Sequence, residues 1–146
     1  MFHKILVPVD FSDKNEAAVK TVIELACLKP GAAAEERCEV HLLHVIETVD
    51  HLEYAELEDF YRKLENRNAA RLATLVERLA DAGVRATSEI VFGKRAEEIV
   101  RFAHLQEIDL ILLSAHQVDR EHPALAIGSI SYRVAIAARC AVMLVK

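Results

Sequence analysis

The sequence predicts an α/β domain built on an open five-stranded parallel sheet with helices on both faces. Short apolar segments rich in Val, Ile and Leu alternate with longer segments whose apolar residues recur at helical spacing. The order is strand–helix four times, followed by a last strand, which favours right-handed crossovers and a covered parallel sheet. The 146 residues fit one domain, expected to span 1–146.

The first strand and the first helix are predicted from composition and from turn residues. Residues 3–9 are apolar and β-branched, as buried parallel strands are. In the turn that follows, Ser12 or Asp13 could cap the next helix by accepting a backbone N–H. Apolar residues then keep helical spacing over 16–26, and Pro30 marks the end of this helix because proline cannot continue it.

The remaining elements follow the same logic. A second strand is predicted at 38–46, and the acidic stretch 47–59 already has helical spacing before a long helix that Gly83 closes. The second half of the chain supplies strand, helix, strand, helix and strand, with predicted ranges 84–92, 96–104, 108–113, 129–138 and 141–145.

Composition excludes several classes of protein. Hydrophobic residues make up 53% and charged residues 28%, which is too apolar for a disordered chain. The net charge of −5 argues against nucleic-acid and membrane partners, since both need a basic face. There is no signal-peptide layout and no apolar run of about 20 residues, so we expect a cytoplasmic protein. Its three cysteines, Cys27, Cys38 and Cys140, are expected to be reduced and mostly buried.

A ligand crevice is expected between the first and fourth strands. In open α/β sheets, ligands lie beyond the carboxyl ends of the strands, where the strand order reverses. The loops of interest are therefore 9–12 and 114–129, and the second is unusually long for this fold. Gly128 and Ser129 open the last helix, where free N–H groups and the helix dipole favour an anion. Ser129 could equally act only as a helix cap, and both interpretations stay open.

Segments along the whole chain are similar to one known family. They are Lys4–Ser12, Leu43–Val45, Ile90–Gly93, Ala96–Ile99, Asp109–Leu113 and Ala141–Lys146. In their order and spacing, these segments resemble the universal stress protein family. The resemblance implies a Rossmann-like, adenine-nucleotide-hydrolase-like fold and a homodimer.

Many members of that family bind ATP or AMP, so the resemblance implies that this chain binds one of these nucleotides, with Mg²⁺ possible alongside ATP. The nucleoside would be held after the first strand and at the end of the second, here by Pro8, Val9, Asp10 and Val45. The phosphates would be held by the long loop and by the start of the last helix. In this chain the residues concerned are Ser114, His116, Gly128, Ser129, Ile130 and Ser131.

The phosphate loop departs from the family pattern. Ser114 and Gln117 stand where a Gly-x-x-Gly loop is expected, and ten residues instead of nine separate Gln117 from Gly128. A non-glycine residue in left-handed backbone costs about 1–2 kcal/mol, so two such sites would weaken binding by about tenfold or more. The chain is similar here to the family branch without nucleotide. Two functions therefore stay open: an adenine-nucleotide sensor of the stress response, and a protein-interaction module.

No pattern in the sequence favours catalysis. There is no Gly-x-Ser-x-Gly elbow, no P-loop and no evident acid–base pair, so we expect at most weak ATP hydrolysis. His41 and His44 lie on opposite faces of the second strand, one expected in the core and the other near the crevice. The long loop offers side chains that zinc accepts, but their spacing fits no closed motif, and a polar loop tip is the favoured interpretation. These side chains are His116, Asp119, Glu121 and His122.

The last strand, Ala141–Val145, predicts an interface. This strand is apolar and ends the chain, so it is expected at an edge of the sheet. A bare apolar edge is an aggregation hazard unless it is paired. Antiparallel pairing with a second copy across a twofold axis would cover it, and we therefore expect a homodimer through this strand.

Overall fold

The structure, a computed structural model, describes residues 2–27, 37–48, 54–115 and 128–146, with the backbone alone at 54–56. In these ranges, strands and helices alternate as the sequence predicts. They are β1 (Lys4–Pro8), α1 (Asn15–Ala26), β2 (Glu39–Glu47), α2 (Tyr54–Asp81), β3 (Arg85–Gly93), α3 (Arg95–Leu105), β4 (Leu110–Ser114), α4 (Ile130–Ala137) and β5 (Ala141–Val145).

The five strands form one open sheet in the order β3-β2-β1-β4-β5, and every neighbouring pair is parallel. The chain therefore builds outward from β1 in one direction and then, from β4, in the other. The strand order reverses between β1 and β4, which confirms the predicted position of the switch point. The apolar strand β5 is an edge strand, also as predicted.

Alternation along the strands gives the sheet two buried faces. One face of the central strands carries Ile5, Val7 and Leu42, which pack in one core with residues of α1 and α2. The other face carries Leu6 and Leu43, which pack in a second core with residues of α3 and α4. Since successive side chains of a strand point to opposite faces, near-continuous apolar strands are what a sheet covered on both sides requires.

The first helix begins without the predicted side-chain cap. Neither Ser12 nor Asp13 is its N-cap; that position is Lys14, and the helix starts at Asn15. The prediction was wrong because backbone carbonyls take over the capping. The N–H of Asn15 donates to the carbonyl of Ser12 at 3.1 Å, and the N–H of Glu16 donates to that of Asp13 at 3.3 Å.

The long helix α2 ends as the sequence predicts. Gly83 adopts a left-handed backbone with φ +79°. Its N–H donates to the carbonyl of Ala80 at 2.8 Å, and the N–H of Val84 donates to that of Leu79 at 2.9 Å. This glycine closure satisfies carbonyls that the helix end would leave unpaired and turns the chain toward β3.

The cysteines are unpaired, but the expectation that they are mostly buried was wrong. Cys27 is exposed, while Cys38 and Cys140 are half-buried. All three lie just outside helices or strands, where coverage by neighbouring elements is incomplete. Burial raises the pKa of the Cys38 thiol to about 11, and the carboxylates of Asp109 and Glu39 add to that rise. No helix in the described ranges has the length and apolar character needed to cross a membrane.

Candidate functional site

A crevice opens where β1 and β4 separate. Their pairing covers only two residue pairs, Ile5 with Leu110 and Leu6 with Ile111. Strand β1 nevertheless continues to Pro8, and β4 continues to Ser114. Their carboxyl ends therefore diverge at the switch point of the sheet, which is the usual ligand position in this architecture.

The turn after β1 forms one wall of this crevice. The buried Val9 extends the ladder by donating its N–H to the carbonyl of Leu43 at 2.8 Å. The chain then turns, and the N–H of Ser12 donates to Oδ1 of Asp10 at 2.9 Å. Between them Phe11 has φ 61°, a left-handed conformation that few non-glycine residues adopt and that often marks functional turns.

Asp10 is held in its ionised form. Partial burial raises the pKa of its carboxyl, but the hydrogen bonds from Ser12 and the positive charge of Arg95 outweigh that effect. The net pKa lies below its ordinary value, so the side chain is a carboxylate at neutral pH. An exposed carboxylate at this edge of the sheet can accept hydrogen bonds from the hydroxyl groups of a ligand.

His44 fixes the backbone beneath the turn. Its Nδ1 lies 2.7 Å from the carbonyl oxygen of Val9, and its Nε2 lies 3.1 Å from the amide nitrogen of Asn68. The carbonyl can only accept and the amide nitrogen can only donate, so Nδ1 carries the proton and the ring is neutral. Burial lowers the pKa of His44, which agrees with this state. The buried histidine near the crevice is thus His44, while the half-buried His41 packs against Phe102.

Asn15 ties the two walls of the crevice together. This side chain is only 7% exposed. Its Oδ1 accepts from the N–H of Asp10 at 3.0 Å, and its Nδ2 donates to Oγ of Ser114 at 3.2 Å. One amide therefore joins the turn after β1 to the end of β4, and the hydroxyl of Ser114 is already engaged.

Val45 presents a backbone edge to the crevice. In a parallel strand, alternate residues direct their N–H and C=O groups to the same neighbour. Leu43 bonds toward β1, so Val45, two residues later, faces the same side. Strand β1 has turned away by then, and among the described backbone bonds none links Val45 to the turn. Within the described part of the chain, the N–H and C=O of Val45 therefore face the crevice without a backbone partner.

The start of α4 supplies the third part of the site. Ser129 is its N-cap, and its Oγ accepts from the N–H of Tyr132 at 3.2 Å. The predicted capping role is thereby confirmed. The preceding Gly128 is exposed, and a Cβ built there would meet nothing within 4 Å. Geometry leaves the N–H groups of Ile130 and Ser131 without partners inside the helix.

Two arginines that the sequence reasoning missed, Arg71 and Arg95, lie near the turn, and Phe11 of the turn itself contacts one of them. The ring centroid of Phe11 lies 4.6 Å from that of His44, and Cζ of Arg71 lies 4.3 Å from the Phe11 centroid. Arg95 lies 3.4 Å from Glu47 through Nη2 and Oε2. Asn15 was missed as well, although a polar residue in the buried stripe of an amphipathic helix is a signal that could have found it.

Part of the predicted site lies outside the described residues. His116 belongs to the range 116–127, as do the other three side chains considered as zinc ligands. Within the described ranges no cluster of three or more His, Cys, Asp or Glu side chains could hold a metal ion. The structure brings Pro8, Val9, Asp10, Val45 and Ser114 to the carboxyl edge of the sheet.

Solved structures of similar proteins share this architecture. The structure of protein MJ0577 has a TM-score of 0.77 at 29% identity and covers 100% of this chain and 96% of its own. A universal stress protein in complex with cAMP has a TM-score of 0.70 at 16% identity, covering 99% and 97%. The universal stress protein from Archaeoglobus fulgidus in complex with dAMP has a TM-score of 0.67 at 20% identity, covering 99% and 98%. At these lower identities the last two likenesses establish the fold.

Sequence comparison gives the family. The universal stress protein MJ0577 of Methanocaldococcus jannaschii is 31% identical over 133 residues, which cover 80% of this chain and 78% of the relative. The model of the Universal stress protein family matches residues 1–146. This chain belongs to the universal stress protein family.

Proposed function

We propose that this chain binds an adenine nucleotide, ATP or AMP, in the crevice between β1 and β4 and acts as a stress-response sensor. The observation that carries the proposal is the backbone edge of Val45, which faces the side of β2 where β1 ends in the turn that holds the ionised Asp10. Solved relatives in complex with cAMP and with dAMP support the same ligand class.

The chemistry of adenine fits that edge. The exocyclic amine of adenine donates a hydrogen bond, and the adjacent ring nitrogen accepts one. The C=O and N–H of Val45 offer the matching acceptor and donor. The carboxylate of Asp10 would accept from the ribose hydroxyls, as acidic residues do in other dinucleotide-binding sheets. Pro8 and Val9 would supply the apolar floor under the nucleoside.

The phosphates would lie toward α4. Unpaired N–H groups at a helix start and the helix dipole both favour an anion. Gly128, Ser129, Ile130 and Ser131 provide that start, with Ser129 already capping the helix. Mg²⁺, when present with ATP, would take most of its ligands from phosphate oxygens and water.

A thermal-shift titration with ATP, AMP and adenosine, with and without magnesium, tests the proposal. A ligand at a hundredfold excess over its Kd stabilises the folded state by about 2.7 kcal/mol, which is a rise in Tm of about 5–10 °C for a chain of this size. Adenosine compared with AMP reports whether the phosphate contributes. A flat response to all three ligands at millimolar concentration would refute nucleotide binding.

The variant Gly128→Val tests whether the phosphates bind at the start of α4. A Cβ at Gly128 meets nothing within 4 Å, so the variant is expected to keep the Tm of the free protein and to lose the ATP-induced shift. Ala135→Val, at an exposed position of the same helix, is the matched control and is expected to respond to ATP normally. Equal responses of the two variants would exclude phosphates at the start of α4.

We propose binding without catalysis. In the described part of the crevice, both ring nitrogens of His44 are occupied, by the Val9 carbonyl and the Asn68 amide. This histidine can act as a base only by breaking those bonds. The unpaired cysteines fit a reducing compartment, and we propose the cytoplasm as the location.

We propose a homodimer through β5. This edge strand is only partly covered, and Leu144 is 43% exposed. On α4 the large apolar side chains Tyr132 and Ile136 are exposed as well. Leu144→Lys is expected to yield monomers in sedimentation velocity. Leu105→Lys, which changes an exposed leucine of α3, is expected to leave the dimer intact.

The second candidate function is a protein-interaction module without nucleotide. It is favoured by the bond from Asn15 to Ser114, because the side chain at the first glycine position of the family loop is turned to the protein. If Ser114→Gly combined with Gln117→Gly creates ATP binding in a protein that otherwise shows none, the native chain belongs to this class.

A further inference from the structure

A second concave site lies on the face of the sheet that α3 and α4 cover, outside the crevice between β1 and β4. It is a groove of about 790 Å³ between α3 and α4. One end of the groove, at the amino ends of the strands, is formed by Ile108, just before β4, and by Arg139 and Cys140, just before β5. Those residues precede the strands, whereas the crevice lies beyond the strand ends. The volume is within the range of small-molecule pockets.

The floor of this groove is apolar. Ala96, Ala103 and Ile108 are buried, and Val100 and Cys140 are half-buried. Burial raises the pKa of the Cys140 thiol, so the sulfur is neutral at neutral pH and behaves as an apolar atom. The floor therefore offers a surface for a hydrocarbon group.

The rim of the groove is cationic although the chain has a net charge of −5. Three arginines line it, Arg101, Arg133 and Arg139, against the carboxylates of Glu97 and Glu107. Arg133 approaches Glu97 at 3.9 Å, and Arg101 pairs at 3.6 Å with a glutamate of its own helix. For Arg139, no ion pair or hydrogen bond to any described side chain is present. The exposed guanidinium of Arg139 therefore has no described ion-pair partner at the end of the apolar floor, although the carboxylate of Glu107 lines the same groove.

We propose that this groove binds a small amphipathic anion, a carboxylate on a hydrocarbon chain, with the carboxylate at Arg139 and the chain along the α3–α4 floor. Arginine suits this role because its planar donors match both oxygens of a carboxylate. The apolar floor has no groups that could hydrogen-bond to a base or a sugar, which separates this ligand class from that of the crevice. The inference does not depend on nucleotide binding.

Titration of the ¹⁵N-labelled protein with decanoate, followed by NMR, tests the proposal. Decanoate is expected to shift the amides of Val100, Ala103 and Cys140 in a saturable manner. Decan-1-ol, which lacks the charge, is expected to bind at least about tenfold more weakly, since a hydrogen bond to a charged group contributes about 1.5–3 kcal/mol. Acetate, which keeps the charge and lacks the chain, is also expected to bind at least about tenfold more weakly, because it buries no hydrocarbon against the floor. ATP is expected not to compete.

Variants at exposed positions make the test specific. Arg139→Gln is expected to weaken decanoate binding about tenfold. Ala137→Glu, which adds a negative charge at the end of α4 two residues before Arg139, is expected to weaken it as well. Arg85→Gln removes the same charge from exposed Arg85 on β3 and should leave the Kd unchanged. The proposal is overturned by the absence of decanoate binding, by equal effects of Arg139→Gln and Arg85→Gln, by equal binding of decan-1-ol, or by displacement with ATP.

Discussion

Replacing Asn15 with alanine should weaken the fold and loosen the crevice together. The Asn15 side chain holds the N–H of Asp10 at 3.0 Å and the hydroxyl of Ser114 at 3.2 Å. It is 7% exposed, so water replaces these bonds poorly when the side chain is removed. Asp10 and Ser114 belong to opposite walls of the crevice, so the loss of both hydrogen bonds should let these walls move relative to each other.

The magnitude follows from the two bonds. Each contributes about 0.5–1.5 kcal/mol, or about 1–3 kcal/mol together. Alanine is the better helix former by about 0.5 kcal/mol and offsets part of the loss. The expected net destabilisation is about 1–2 kcal/mol, which lowers Tm by about 3–6 °C in a chain of this length. Ser114→Ala removes one of the bonds only.

Urea unfolding of the wild type, both single variants and the double variant measures the coupling. If Asn15 acts through Ser114, the double variant loses less stability than the sum of the single variants, by about 0.5–1 kcal/mol. Lys20→Ala, at an exposed position of the same helix, is the control and should change stability by less than about 0.5 kcal/mol. Strict additivity, or an Asn15→Ala variant as stable as Lys20→Ala, would refute the reasoning.

Three further predictions concern strain and protonation. Gly93→Ala, at φ +148° with Glu98 Cγ 2.8 Å from the added Cβ, should cost more than Gly83→Ala, at φ +79° in open space; equal losses in urea unfolding would contradict this. Adding Glu98→Ala to Gly93→Ala should restore only the part of the lost stability that is due to the clash with Glu98. Full restoration of stability would show that backbone strain is absent. Burial lowers the pKa of His44 in the folded state, so below the unfolded pKa of about 6.5 the unfolded chain binds more protons than the folded chain. Stability therefore decreases as the pH is lowered below about 6.5. His44→Gln should reduce this dependence of stability on pH. It should not abolish the dependence, because the pKa of His41 is lowered too. An unchanged dependence on pH would show that His44 is not its source.

The positions of the elements follow from local sequence. Apolar strands with β-branched residues predicted all five strands, and β5 was predicted with its observed bounds. The left-handed closure at Gly83 was predicted for the same reason, because only local backbone geometry is involved. The switch point between β1 and β4 followed from the alternation of strands and helices. Shifts of one or two residues at other ends reflect fraying and capping.

The polar framework of the crevice depends on contacts that local sequence does not contain. Asn15 and Ser114 are separated by 99 positions, and His44 and Val9 by 35. No spacing in the sequence encodes such pairs, because the fold alone brings them together. The wrong prediction of a side-chain cap for α1 also results from a contact that local sequence does not contain. Once Asp10 and Asn15 hold each other across the turn, the carbonyls of Ser12 and Asp13 face the helix start, and their side chains are no longer needed there.

This arrangement also explains how the crevice between β1 and β4 can lack the family glycines and still be ordered. The carbonyl of Val9 is fixed by His44, the amide of Asp10 by Asn15, and Asn15 in turn by Ser114. A serine at 114 thus helps to fix the wall where we propose that the nucleoside binds, whereas a glycine there would only admit phosphate more closely. Substitution of Ser114 by glycine should therefore trade nucleoside affinity for phosphate affinity. A fall in the ratio of the adenosine Kd to the ATP Kd after Ser114→Gly would argue against this exchange.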